Sequence, residues 1–365
     1  MLVVLAVAAM LLVLHRLRSS ASQRAETSQH AGATVPPARR ATGGTADRPL
    51  AVGVATCTFV DHSRSTENYL TGVSTPGRRL VTSIYYPSGP TRHGPYPTVF
   101  FGSGYGVAPT DYGPLLSSWA QSGLVVVAPM FPDASPAAVA SVGGIGHDND
   151  EADIPNQPGD VVFVTRKVLA ASAGTPEGCP VLRGLVDPSE LGLAGQSDGA
   201  TTVGMLAFDQ GTLPGTTTTY RSLSAGIDYR AVAVLSGEAY GDDPYAATAG
   251  SPPVLVVQSA TDHCNPPEEA VDLYDALDEP ERWFLAIRDA DHLTPYEGQD
   301  KAAFAVVAKV TSVFLDSELR GIQPAAALAR AGNADPSVAT LVQGPDTPAY
   351  MNAVLTQSAA ACYQT

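Results

Sequence analysis

Three side chains scattered along the sequence carry the residue types needed to cleave an acyl bond: Ser197, Asp262 and His292. Ser197 sits in Gly195-Gln196-Ser197-Asp198-Gly199, a G-x-S-x-G pattern. An apolar run at 191–194 precedes it and a helical stretch at 200–208 follows. Glycines two positions either side of the serine permit a sharp strand-to-helix turn that lifts Oγ above a sheet. A serine hydroxyl is a weak nucleophile until a base takes its proton, and the base needs a carboxylate to orient it.

Of the seven histidines, His292 lies just past a strand-like run at 283–287, in Asp289-Ala290-Asp291-His292. His263 and His147 are its rivals. Asp262 falls between Ser197 and His292 in chain order and ends a strand-and-loop segment before Pro266-Pro267. Glu238 is the reserve acid, and Asp291 is disfavoured because an adjacent side chain points away from its neighbour's ring. A tetrahedral intermediate needs two hydrogen-bond donors aimed at its oxyanion. The backbone N–H of Asp198 would be one. The other is expected from Gly102-Ser103-Gly104-Tyr105-Gly106, at Tyr105, with Gly104 or Gly106 as alternatives. No lysine follows this loop, so a Walker-type phosphate cradle fails. The acidic run 148–153 offers hard oxygen ligands, but it does not match a calcium loop and reads as a solvated loop.

These residues need elements to position them. Short β-branched runs at 98–101, 124–128, 191–194, 231–235, 254–258 and 283–287 alternate with helical stretches at 112–121, 160–171, 200–208, 268–277 and 301–319. Asp160 is placed to cap the second of those helices. Runs at 52–60 and 79–86 read as an early antiparallel pair, and 283–287 as the last strand. Strands alternating with helices imply a mostly parallel sheet with helices on both faces. Active residues then belong on loops leaving the carboxyl ends of strands.

Composition narrows the classes. The chain has 365 residues, 44% hydrophobic and 16% charged, with a net charge of −15. The first fifty residues hold six arginines against Glu26 and Asp47, so the remainder is more acidic still. Such a body repels phosphate backbones and has no basic stripe, which excludes nucleic acid as a partner. Residues 1–14 are apolar and Arg16 and Arg18 follow; residues 1–21 read as an export signal or an uncleaved anchor. Residues 22–48 read as a disordered linker, 49–321 as the folded domain, and 322–365 as a C-terminal extension packed on it or trailing from it. A secreted or envelope-associated monomer is expected, touching a membrane only through its N-terminal segment. Cys57, Cys179, Cys264 and Cys362 lack metal-ligand spacing and could form two disulfides in any of three connectivities.

The strand, the Gly195–Gly199 motif, the helix, then Asp262 and His292 resemble the α/β-hydrolase superfamily. The likeness is to dienelactone-hydrolase-like, chlorophyllase-like and cutinase-like (polyester-hydrolase-like) esterases. Ser103-Gly104-Tyr105, Thr261-Asp262, residues 314–321 and residues 331–341 add to it. The resemblance implies an α/β-hydrolase fold, with Ser197 as nucleophile, His292 as general base and then acid, and Asp262 as the orienting carboxylate. It implies no cofactor and no metal. Gln196 stands where many relatives have His, and Asp198 where cutinase-like enzymes often have Met.

No stretch has the amphipathic character of a lid, and residues 211–230 are Thr/Gly-rich. Gly104, Tyr105, Gln196 and Tyr240 are expected at the substrate, within an open cleft lined by Tyr105, Tyr112, Tyr240 and Tyr245. The expected reaction is hydrolysis of neutral esters with short to medium acyl chains, small or polymeric, through an acyl-enzyme. The alternatives are a serine peptidase or amidase on the same scaffold, or a non-catalytic binding protein.

Overall fold

Runs such as Val-Val-Val-Ala-Pro at 125–129 and Arg-Trp-Phe-Leu-Ala-Ile at 282–287 are buried along their whole length. Strands covered on both faces read as continuous apolar runs and belong inside a parallel sheet. The computed structural model describes residues 49–355 apart from 70, 90–93, 142, 144–152, 242–244, 249, 279–280, 323–324 and 353–354. The segments 1–21 and 22–48, His147, most of the acidic run and Cys362 lie outside the described residues.

The sheet is built from β1 (Ala51–Asn68), β2 (Val73–Ser88), β3 (Tyr96–Gly102), β4 (Val125–Pro129), β5 (Val186–Gln196), β6 (Tyr229–Leu235), β7 (Val254–Ser259), β8 (Arg282–Ile287) and β9 (Ala339–Gln343). Their order across it is β1-β2-β4-β3-β5-β6-β7-β8-β9. β3 to β8 run parallel, and β1, β2 and β9 pair antiparallel at the two edges. The chain passes from β3 outward to β4, then returns to β5 on the other side of β3. The loops after β3 and β5 therefore part at a topological switch point, where sheets of this kind form their crevice.

Two layers of helix cover the sheet. On one face lie α3 (Gln157–Ser172), α4 (Asp198–Phe208) and α6 (Pro267–Ala276); on the other, α1 (Gly113–Gln121), α8 (Lys301–Arg320) and α9 (Ala325–Gly332). Short turns of helix at α2 (Pro136–Ser141), α5 (Tyr220–Leu223) and α7 (Thr294–Glu297) complete the set. Alternation along a strand splits its residues between the layers: Val125 and Val127 join the first core, Val126 and Ala128 the second. Asp300 caps α8 by accepting from the backbone N–H groups of Ala302 and Ala303, and Gly321 ends it at φ 68°.

Two expectations need correction. The run at 283–287 is not the last strand: β9 lies inside the expected C-terminal extension and pairs with β8 along its length. A five-residue edge strand gives too short a pattern to stand out, and its pairing partner lies far back in sequence. Asp160 does not cap its helix, which begins three residues earlier at Gln157 with Pro158 in its first turn. Its carboxylate instead accepts from Arg64 and Arg78.

Cys57 on β1 is disulfide-bonded to Cys179, across 122 residues of sequence. Cys264 is disulfide-bonded too. Structural disulfides persist in oxidising compartments, so the bridge is consistent with an extracellular protein. Among the described residues, no helix is long and apolar enough to cross a membrane.

Candidate active site

The turn between β5 and α4 is tight because three glycines stack at its base. A Cβ added at Gly195 would lie 2.1 Å from the Gly199 carbonyl oxygen, and one at Gly199 would lie 2.1 Å from that of Gly102. Real side chains never approach that closely, so β5, α4 and the end of β3 close up only with glycine at all three. Ser197, at the apex, adopts φ 54° and ψ −127°, a conformation costing a residue with a Cβ about 1–3 kcal/mol. Glycine packing holds that strain and turns the serine off the strand. Ser197 is 8% exposed.

Asp262 follows β7 and His292 follows β8, adjacent parallel strands in register at Ser259 and Ile287. Ser259 pins the two loops together: its hydroxyl donates to the Ala290 carbonyl and accepts from the Ala290 N–H. The imidazole Nδ1 of His292 lies 2.9 Å from Asp262 Oδ2 and 3.1 Å from Oδ1. Both residues are buried, Asp262 completely. Burial alone would raise the Asp262 carboxyl. The His292 ring and the backbone N–H groups of Cys264 and Asn265 outweigh it and hold the acid below the ordinary carboxylate range. Gln258 Nε2 donates to Oδ2 as well. Asp262 is therefore an anion at neutral pH, accepting from His292 Nδ1–H.

The alternatives resolve in favour of this pair. Asp291 turns its carboxylate back to the Leu293 and Thr294 N–H groups. Glu238 lies beyond β6, its N–H donating to Thr201 Oγ1. His263 shares the loop of Asp262, but the ring bonded to that carboxylate is His292. The side-chain ligand atoms of Asp262, Cys264 and His292 lie within 4.8 Å of one another. Cys264 has no thiolate to give, since its sulfur is in a disulfide, and the cluster does not make a metal centre.

The other ring nitrogen of His292 is where sequence reasoning fell short. Nε2 lies 3.1 Å from Gln196 Nε2, and no hydrogen bond joins it to Ser197 Oγ. Gln196 also donates to the His292 carbonyl at 3.2 Å and accepts at 2.6 Å from the Tyr112 hydroxyl. Gln196 is fully buried. It packs against the His292 ring. The signal was parity: Gln196 is two residues from Ala194, and both face the layer where Tyr112 sits.

The loop after β3 runs beside Ser197, with Gly102 in register with Gly195. A Cβ at Gly104 would meet Gln196 Oε1 at 2.8 Å and Ser197 Cβ at 3.0 Å, so the backbone passes directly over the serine. The Gly104 N–H donates to Tyr112 Oη and the Gly106 N–H to the Ala134 carbonyl. The aromatic cleft does not form as expected. Tyr112 is buried in the core, Tyr105 and Tyr245 are largely so, and Tyr240 alone stays half-buried, its N–H donating to Tyr245 Oη. Acids stand nearby instead. Glu297 on α7 is pushed up to about 7 by burial and by the carboxylates of Asp111 and Asp291.

Compared with known proteins, the chain matches no family model and no curated sequence.

Proposed function

We propose that this chain is a serine carboxylic-ester hydrolase of the α/β-hydrolase fold, without a separate lid domain, exported by its N-terminal segment. The observation that carries the reading is the Asp262–His292 pair, both members buried and bonded, beside a serine strained onto a glycine-stacked turn. Ser197, Asp262 and His292 follow three different strands, β5, β7 and β8, at the carboxyl edge of one sheet. That arrangement is the reason for the strand-to-helix turn and explains why a β-sheet protein would tolerate a serine at φ 54°.

In this reaction Ser197 Oγ attacks the ester carbonyl carbon as His292 Nε2 takes its proton. The resulting imidazolium is stabilised by the Asp262 anion through Nδ1–H. The oxyanion is held by the backbone N–H groups of Tyr105 and Asp198. Collapse of the intermediate breaks the C–O bond, and His292 returns the proton to the departing alcohol. Water then attacks the acyl-enzyme by the same route and releases the acid. The carboxylates of Asp198, Asp111, Asp291 and Glu297 around this edge favour neutral acyl groups of short to medium length, small or polymeric, over anionic ones.

The test is hydrolysis of p-nitrophenyl butyrate by the wild type and by Ser197→Ala. Turnover by the wild type and its loss in the variant support the reading. Equal turnover by the variant overturns it.

A further inference from the structure

Building on the esterase reading, we propose that Gln196 is a positioning residue for the base: its carboxamide fixes the tautomer of His292 and occupies Nε2 until the nucleophile displaces it. Every donor and acceptor in the chain of bonds around it has one consistent assignment. The Gly104 N–H uses a lone pair of Tyr112 Oη at 3.2 Å. The single phenol proton then goes to Gln196 Oε1, and burial, which raises the Tyr112 phenol well above its ordinary value, keeps that proton in place. The amide is thereby locked with its NH2 toward His292, one proton on Nε2 and one on the main-chain carbonyl. An NH2 group only donates, so Nε2 must accept and the ring proton must sit on Nδ1, facing Asp262.

Two consequences follow for the reaction. The lone pair that takes the serine proton is already engaged, so acylation exchanges one partner of Nε2 for another. Once Nε2 is protonated it faces an N–H that cannot accept from it. The amide therefore gives a protonated Nε2 no acceptor, so a proton taken up there is left to pass on to the leaving alcohol. Because Gly104 lies over Ser197 at one end of the chain of bonds, the backbone loop above the nucleophile and the base below it are linked through Tyr112 and Gln196.

The experiment is the pH dependence of kcat/KM for p-nitrophenyl butyrate in the wild type, Gln196→Met and Gln196→Glu. Methionine removes the donor, so the acid-side limb moves up by about half to one pH unit; glutamate favours the imidazolium and moves it by about one to two. A residue that merely filled space would lower the plateau without this ordered shift. The other ionisable groups around the ring are Asp262, His263, Asp198, Asp291, Glu297 and the phenols of Tyr112 and Tyr296. Glu297, pushed up to about 7, and the second imidazole, His263, are checked by repeating the Gln196 series in Glu297→Gln and His263→Gln backgrounds, where the ordered shift should persist. Coincident limbs in all three proteins overturn the proposal while the esterase reading stands; no turnover by the wild type defeats the esterase reading. A second measurement needs no variant. Nitrogen-15 NMR of the wild type should give a through-hydrogen-bond coupling between Gln196 Nε2 and His292 Nε2, whereas a proton on Nε2 would overturn the proposal even if the variants fail to fold.

Discussion

Two buried polar clusters lie along the carboxyl edge of the sheet, and they are built on opposite principles. Around His292 a single carboxylate, Asp262, is the only charge in the run of bonds; every other member from Gly104 to Gln196 is neutral. Around Arg78 nearly everything is charged. This fully buried guanidinium donates to Asp133, Asp153 and Asp160, and Arg64 adds bonds to Asp160 and Asp61. The second cluster ties the hairpin of β1 and β2 to the first turn of α3 through several charge-assisted bonds. The first leaves one nitrogen held by a weak neutral bond that can be exchanged. Buried charge anchors; a buried neutral chain with one anion behind it keeps a base available.

The contrast breaks most visibly on substitution. Ser197→Ala should cut ester turnover by about 10⁴-fold or more while leaving the denaturation midpoint within error, by activity assay and urea titration on the same preparation. Arg78→Met should do the reverse. Leaving three buried carboxylates with Arg64 alone costs about 3–5 kcal/mol in a denaturant titration, with turnover per folded molecule retained. If Arg78→Met instead abolished activity in folded protein, the division of labour drawn above would be wrong. Replacing Cys57 and Cys179 by serine releases a bridge between sheet edge and α3 side, and about 2–5 kcal/mol of stability should go with it.

The two clusters also titrate with opposite signs. Burial, with Asp160 and Asp133 close by, pushes Asp153 up to about 7 despite Arg78. A raised carboxyl binds its proton more tightly in the folded state, so its contribution is present below about pH 4 and is lost as pH rises toward 7. Asp262 is held low, so its contribution is present above about pH 4 and lost as pH falls below. Asp153→Asn should therefore flatten the decline of the melting temperature between pH 5 and 7, and Asp262→Asn should not. The smallest effect concerns substrate charge. A p-nitrophenyl hemisuccinate should turn over about tenfold more slowly than the butyrate, with the gap narrowing in high salt as the rim carboxylates are screened. A gap indifferent to salt would remove the rim acids from the account.

Much of this edge could be read in the sequence because Ser197, Asp262 and His292 each follow their own apolar strand. Chain order then set Ser197, Asp262 and His292 on loops that a parallel sheet brings together. The edges were harder. β9 is five residues long and pairs with a strand some fifty residues upstream, so no local pattern marks it. Tyr112 was legible as an aromatic expected to line a cleft but not as a buried relay, since only the fold puts its hydroxyl between Gly104 and Gln196. Gln196 was expected at the substrate; strand parity with Ala194 could have turned it toward the core, but only the fold shows Tyr112 and His292 waiting there. Arg78 and Asp160 lie 82 residues apart, and nothing in either neighbourhood announces their pairing.

One measurement bears most directly on the central claim, that a strained serine and a carboxylate-held imidazole form a working nucleophile. The protein is treated with a fluorophosphonate at neutral pH, digested, and the adduct located by mass spectrometry. The adduct should map to Ser197, vanish in Ser197→Ala and form far more slowly in His292→Ala. An adduct on another residue, or labelling at Ser197 that is indifferent to the loss of His292, would contradict it.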